Sequence, residues 1–243
     1  MANKPKPATK SQERDRRSKV EAMRKAQQAQ EKRKSILFIA VAVVVGLGLI
    51  AAVAVPTYLK GRHNPANKAL SAFGVSTDAA SCQAVKTTPD TNTAALRAHV
   101  ADGTTEKYKT VPPSYGPHWA QPAIPSLSFY TVGSKPPMEQ LVHNLEHGYT
   151  VLWYDNTVQG GQLTALKNLS TSARNKSQTG KGKFIVSAWD PAFGAFPAGQ
   201  HIAMSHWGSK SSVTQTCGKV SGGAVANFIT KFPAADSPES AAA

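Results

Sequence analysis

Cysteine is almost missing from this chain: Cys82 and Cys217 are the two in 243 residues. No Cys-x-x-Cys pair exists, which excludes a dithiol redox centre. Carboxylates are scarce as well, with 14 Asp and Glu against 28 Lys and Arg, for a formal charge of +14. There is no G-x-S-x-G stretch to mark a serine nucleophile, and the glycine motifs that cradle phosphate are missing. No segment repeats. Beyond residue 56 the basic residues are scattered without an aromatic-basic stripe, so nucleic acid is not an expected partner.

What is present begins with an apolar run. "ILFIAVAVVVGLGLIAAVAV", residues 36–55, carries no charge and is long enough at ~1.5 Å per residue to cross a ~30 Å hydrocarbon core. Twelve cations and four carboxylates precede it. The positive-inside rule then predicts a basic cytoplasmic segment (1–35), a single transmembrane helix (36–55) and an outer domain, all in the plasma membrane. A cleaved signal peptide competes, because Ala52-Val53-Ala54 has the small-x-small form of a cleavage site. The long charged region and long apolar run favour an uncleaved anchor. The basic segment is also expected to lie on anionic membrane lipid. Outside the cell, two cysteines favour one Cys82–Cys217 disulfide over two separate thiols.

"PTYLKGRHNPANK", 56–68, reads as a linker, with Pro56 ending the span. Residues 69–232 form the extracytoplasmic domain, and 233–243 read as a disordered tail. "ALSAFGV" and "TAALRAHV" are short helix candidates. Seven prolines between 104 and 137 exclude long elements there, leaving "SFYTV" as a brief strand. Pro136-Pro137 opens a helix that Gly148 closes. "YTVLWY" then reads as a strand, "GQLTALKNLSTSARNK" as a helix, "KFIVSAW" and "HIAMSHW" as strands, and "GGAVANFITKF" as a helix. This α-β-α-β-β-α order predicts an α/β (or α+β) fold, one small mixed sheet flanked by helices.

The stretch "QLVHNLEHGYTVLWY" holds the candidate chemistry: His143, Glu146 and His147. The apolar stripe of that helix is Met138, Leu141, Val142 and Leu145, and at ~100° per residue the two histidines lie roughly opposite it. They therefore face solvent or a second surface from the proline-rich segment. "PPSYGPHW" offers His118 there, and "HIAMSHWG" offers His201, Met204 and His206. Along a strand, His206 and Met204 share one face and His201 takes the other. Imidazoles suit Zn, Cu, Fe or Ni, and the Met204 thioether would tilt the choice towards Cu(I). The expected metal set is His143 and His147, completed by His118 or His206, with Glu146 orienting an imidazole from outside the ligand set. Zn or Cu is the expected ion.

Two other readings stay open. H-x-x-E-H also marks inverted zinc metallopeptidases, in which Glu146 would be the general base of a hydrolase. Such an enzyme needs a further ligand, commonly a later glutamate, and the chain after Glu146 offers only Asp155, Asp190, Asp236 and Glu239. Alternatively the histidines are structural, bonded to backbone carbonyls, in an interaction subunit of a membrane complex with a membrane-protein partner. A non-enzymatic, metal-binding envelope protein is the leading expectation.

Pro112-Pro113-Ser114-x-Gly116-x-His118-Trp119, followed by His143-x-Leu145-Glu146-His147-Gly148, resembles a bacterial, mostly actinobacterial, family: domain of unknown function three-one-zero-five. The likeness covers roughly residues 69–232. It implies a basic amino terminus, one membrane span and an outer domain of this size, and it implies no activity. It singles out His118, His143, Glu146, His147 and Gly148.

Overall fold

The computed structural model describes residues 10–124, 127–175 and 182–242. They fall into two compact units divided after Gly61.

The first unit is helix α1, Lys10–His63, whose apolar stretch has a mean hydropathy of 3.1 and is long enough to cross a membrane. Residues 1–9 of the basic segment lie outside the described residues. Pro56 does not end the helix, contrary to expectation. Proline removes only one amide donor from the ladder, and the Thr57 hydroxyl adds a bond to the Val53 carbonyl at 2.8 Å. The rest of the expected linker is also structured. Asn64 caps a 3-10 turn at Pro65–Asn67. Ser172 and Asn175 then donate to the carbonyls of Lys68 and Ala66, at 2.6 and 2.8 Å.

The second unit is built on a six-stranded sheet of order β1-β8-β7-β5-β6-β4. Its strands are β1 (Lys86–Pro89), β4 (Phe129–Tyr130), β5 (Thr150–Tyr154), β6 (Phe184–Ala188), β7 (Ile202–Trp207) and β8 (Ser211–Cys217). β4 and β5 run parallel to β6, whereas β7 is antiparallel to β5 and β8. Helices α2 (Met138–Glu146), α3 (Gly160–Ala173) and α4 (Gly222–Lys231) flank the sheet. The mixed sheet with flanking helices is the expected fold class. The predicted end of α3, Lys176, lies outside the described residues.

Strand alternation divides the core in two. Val151, Trp153, Ile185, Ala203 and Trp207 point towards α2, where they meet Met138, Leu141, Val142 and Leu145. Leu152, Phe184, Val186, Ile202 and Met204 point the other way, onto Leu166 and Leu169 of α3 and Val225 and Phe228 of α4. Each fully buried large side chain contributes roughly 1.5–3 kcal/mol. The Cys82–Cys217 disulfide forms as expected and ties the end of β8 to the start of the unit.

Two local expectations fail for physical reasons, and one strand appears that was not expected. "TAALRAHV" is no helix: Leu96 and Arg97 donate to the Thr93 carbonyl in a turn, and β2 (His99–Val100) follows. Eight residues are too few to offset helix nucleation, and β3 (His118–Trp119) supplies a parallel partner instead. "SSVTQTC" pairs as β8, because Gly208 N–H donates to the Ser211 carbonyl at 2.9 Å and turns the chain back from β7. Finally, the segment after Phe232 is not a free tail. Ser209 N–H donates to the Asp236 carbonyl at 2.8 Å, Glu239 N–H to the Glu146 carbonyl at 3.0 Å, and Lys183 Nζ to the Ala242 carbonyl at 2.5 Å. Gly148 makes this possible. It ends α2 with a φ of +89°, and a Cβ there would sit 2.5 Å from the Ala234 carbonyl oxygen.

Candidate metal centre

The apolar stripe of α2 rests on the sheet, so His143 and Glu146 emerge on the helix's far side. There the short β2–β3 pair covers them, and the register places His99 beside His118. One ligand atom from each of His99, His118, His143 and Glu146 lies within 4.8 Å of every other. His118, His143 and Glu146 are buried and His99 is exposed, so the cluster opens at His99. Ring centroids are 4.7 Å apart for His118–His143 and 5.1 Å for both His99–His118 and His99–His143.

Backbone carbonyls set the tautomers. His118 Nδ1 lies 2.8 Å from the Gly116 carbonyl, and His143 Nδ1 lies 2.6 Å from the Trp119 carbonyl. A carbonyl oxygen only accepts, so both Nδ1 atoms carry protons. In neutral rings both Nε2 lone pairs then face the cluster, the arrangement that orients a metal-binding imidazole. His118 Nε2 is fully buried and has no aligned hydrogen-bond partner. Glu146 Oε2 is 3.0 Å from it but lies off the ring's bonding direction. A carboxylate facing a lone pair at that distance calls for a positive charge between them, either a second proton on the ring or a cation.

The surrounding charges hold Glu146 ionised. Burial alone would raise its pKa, but the Arg97 guanidinium and the adjacent His118 ring outweigh burial and pull it down to about 2. Arg97 Nε donates to Glu146 Oε1 at 2.6 Å, and its Nη2 donates to Glu239. The bond to Glu146 raises the Arg97 pKa further. Burial brings His143 down to about 4; its bond to the Trp119 carbonyl opposes this, while His118, His147 and His99 push it lower still. A neutral ring at physiological pH is the form that ligates metal.

His147, at the C-cap of α2, sits beside the cluster rather than among its four converging atoms. Its Nε2 is 3.0 Å from His143 Nε2 and 3.5 Å from Glu239 Oε2. His206 is not brought to the cluster. It shares a face of β7 with Met204, across the sheet from α2, and stacks on Phe232 at 6.4 Å. Its neighbour Trp207 is the residue that reaches His118, at 5.9 Å. His201 is elsewhere again, bonded to Asp155 at 2.8 Å. Met204 is buried in the opposite core, so no thioether joins the histidines.

Sequence reasoning missed His99, Arg97 and Glu239. A signal for the first two existed, since Arg97 and His99 alternate as strand residues do; reading "TAALRAHV" as a helix concealed it. Nothing local marked Glu239, because its role depends on where the last residues dock.

The fold and site define a class: an α/β domain, following a membrane-spanning type of helix, with a buried cluster of three histidines and one carboxylate. Residues 99–243 match the family described as Protein of unknown function (DUF3105), and the chain belongs to that family. The match starts at His99, contains the whole cluster, and includes the docked carboxyl-terminal segment. No curated protein and no solved structure matches the chain.

Proposed function

We propose that the cluster of His99, His118, His143 and Glu146 binds one divalent transition-metal ion in a membrane-anchored extracytoplasmic protein. The observation that carries this reading is His118 Nε2: a buried ring nitrogen without an aligned partner, surrounded by three other ligand atoms. Metal–ligand bonds of ~2.0–2.1 Å put tetrahedral donors roughly 3.3 Å apart. The cluster therefore contracts by side-chain adjustments of about 1 Å. Three nitrogens and one oxygen, with no sulfur, suit Zn(II), Cu(II), Ni(II) or Fe(II) and remove the reason to expect Cu(I). The Gly116 and Trp119 carbonyls would hold the ligand rings, and Arg97 would hold Glu146.

This is a binding site rather than a hydrolytic one. A carboxylate clamped by Arg97, its pKa pulled down to about 2, is a poor general base at neutral pH. Four protein donors also leave no open position in a tetrahedral site. The apolar helix, the cations before it and the disulfide support an anchor with a cytoplasmic amino terminus, a basic segment on lipid and an outer domain.

The test uses the full chain in neutral detergent, stripped by chelator and titrated with Zn(II), Cu(II) and Co(II). Wild type is expected to bind one equivalent tightly and to give tetrahedral Co(II) absorption. The His118→Ala/His143→Ala double variant is expected to lose both. Equal binding by a folded double variant would overturn the assignment.

A further inference from the structure

A second, separate site lies at the other end of α2. A cavity of about 330 Å³ is lined by the half-buried Trp119 and Phe193, by Glu139, and by Lys135 and Asp190, with the fully buried Trp153 behind them. Its size falls at the lower end of small-molecule sites. Glu139 is its chemical focus. The residue is 3 % exposed, yet among the described residues its carboxylate accepts a single hydrogen bond, from the Glu106 backbone N–H to Oε1 at 2.9 Å. Among the described residues no lysine, arginine or histidine pairs with it. Its place in the first turn of α2 is favourable to a negative charge, but a buried carboxylate ordinarily has a cation or several donors. Lys135, which lines the same cavity, is engaged with Asp190 at 2.7 Å.

Aromatic faces attract cations through their quadrupole, and here Trp119 and Phe193 line the same space as a carboxylate that has no cation partner among the described residues. We propose that this cavity binds a small organic cation, a primary ammonium on an apolar body, with the ammonium on Glu139 and the body between Trp119 and Phe193. The Lys135–Asp190 pair screens the rim and leaves Glu139 as the uncompensated charge. The site stands independently of any metal. Trp119 connects the two places, since its ring lines the cavity while its carbonyl orients His143.

The experiment is calorimetric titration of the full chain in neutral detergent, against a detergent blank, with three probes of one shape: benzylammonium, benzyl alcohol and benzoate. Benzylammonium is expected to bind, benzyl alcohol more weakly, and benzoate not measurably. Glu139→Gln keeps an oxygen for the Glu106 N–H and is expected to weaken benzylammonium roughly tenfold or more, the loss of a charge-assisted hydrogen bond. Lys135→Ala, which leaves Asp190 unpaired near the rim, is expected to tighten benzylammonium. Preference for benzoate would assign the cavity to the helix N-terminus as an anion site and overturn the proposal. So would absence of binding by all three probes, or equal benzylammonium affinity in a folded Glu139→Gln variant.

Discussion

His99 and His118 are register partners on the parallel pair β2–β3, and their rings meet edge to face with centroids 5.1 Å apart. That pairing joins a solvent-exposed imidazole to a fully buried one and gives the cluster its only open side among the described residues.

Removal of His99 therefore separates ligation from folding. His99→Ala is expected to lower metal affinity by at least ~100-fold, above the loss typical of outer hydrogen-bond partners, while leaving stability nearly unchanged because the residue is exposed. Competition with a chromogenic chelator measures the first effect and urea unfolding the second. His206→Ala is expected to leave affinity unaltered, since the sheet lies between His206 and the cluster.

Arg97 is expected to matter for stability. Arg97→Ala leaves Glu146, 1 % exposed, without its guanidinium partner. A loss of about 1–3 kcal/mol in unfolding free energy of the metal-free protein is expected, with partial recovery in Arg97→Lys, which keeps the charge but not the fork. Urea titrations of the three proteins check this.

His206 gives a pH dependence that can be read apart from the metal. Burial lowers its pKa from 6.5 to about 4, with the Asp236 charge and backbone opposing weakly. The folded state thus prefers the neutral ring. Its contribution is fully present above pH 6.5 and is lost as pH falls from there through about 4, for a total of up to about 3 kcal/mol. His206→Phe, stacked on Phe232, is expected to remove this part of the acid sensitivity. Unfolding of both proteins at pH 7 and pH 4.5, with chelator present, measures the difference.

The disulfide closes a separation of 135 residues. Cys82→Ser/Cys217→Ser is expected to lower stability by about 2–5 kcal/mol while leaving the His118–His143 geometry intact, because β8's last residue lies across the sheet from α2. Reduced unfolding free energy with unchanged Co(II) absorption would bear this out.

Much of this was legible in the chain. The stripe of Met138, Leu141, Val142 and Leu145 predicted a buried face and put His143 and His147 roughly opposite it. All four apolar residues are buried as expected. The Ile36–Val55 run announced a spanning helix, and two lone cysteines announced their bond. The resemblance carried by the two histidine motifs agrees with the family match, though the match covers 99–243 rather than 69–232.

The illegible parts share one cause. Periodicity reports which face of an element is buried, not what arrives to bury it. His206 looked as suitable as His118 because both precede a tryptophan; a two-residue alternation on β7 sent it across the sheet. His99 became a ligand candidate only through pairing with a strand nineteen residues away, and Glu239 only because the last residues dock beside Glu146. The sequence by itself determined the long apolar helix, helix α2 and the two histidine motifs, since those follow from local hydrophobicity and spacing. Tertiary structure decided which four side chains converge, because convergence depends on strand register and long-range docking, whose energies are spread over residues far apart in the chain.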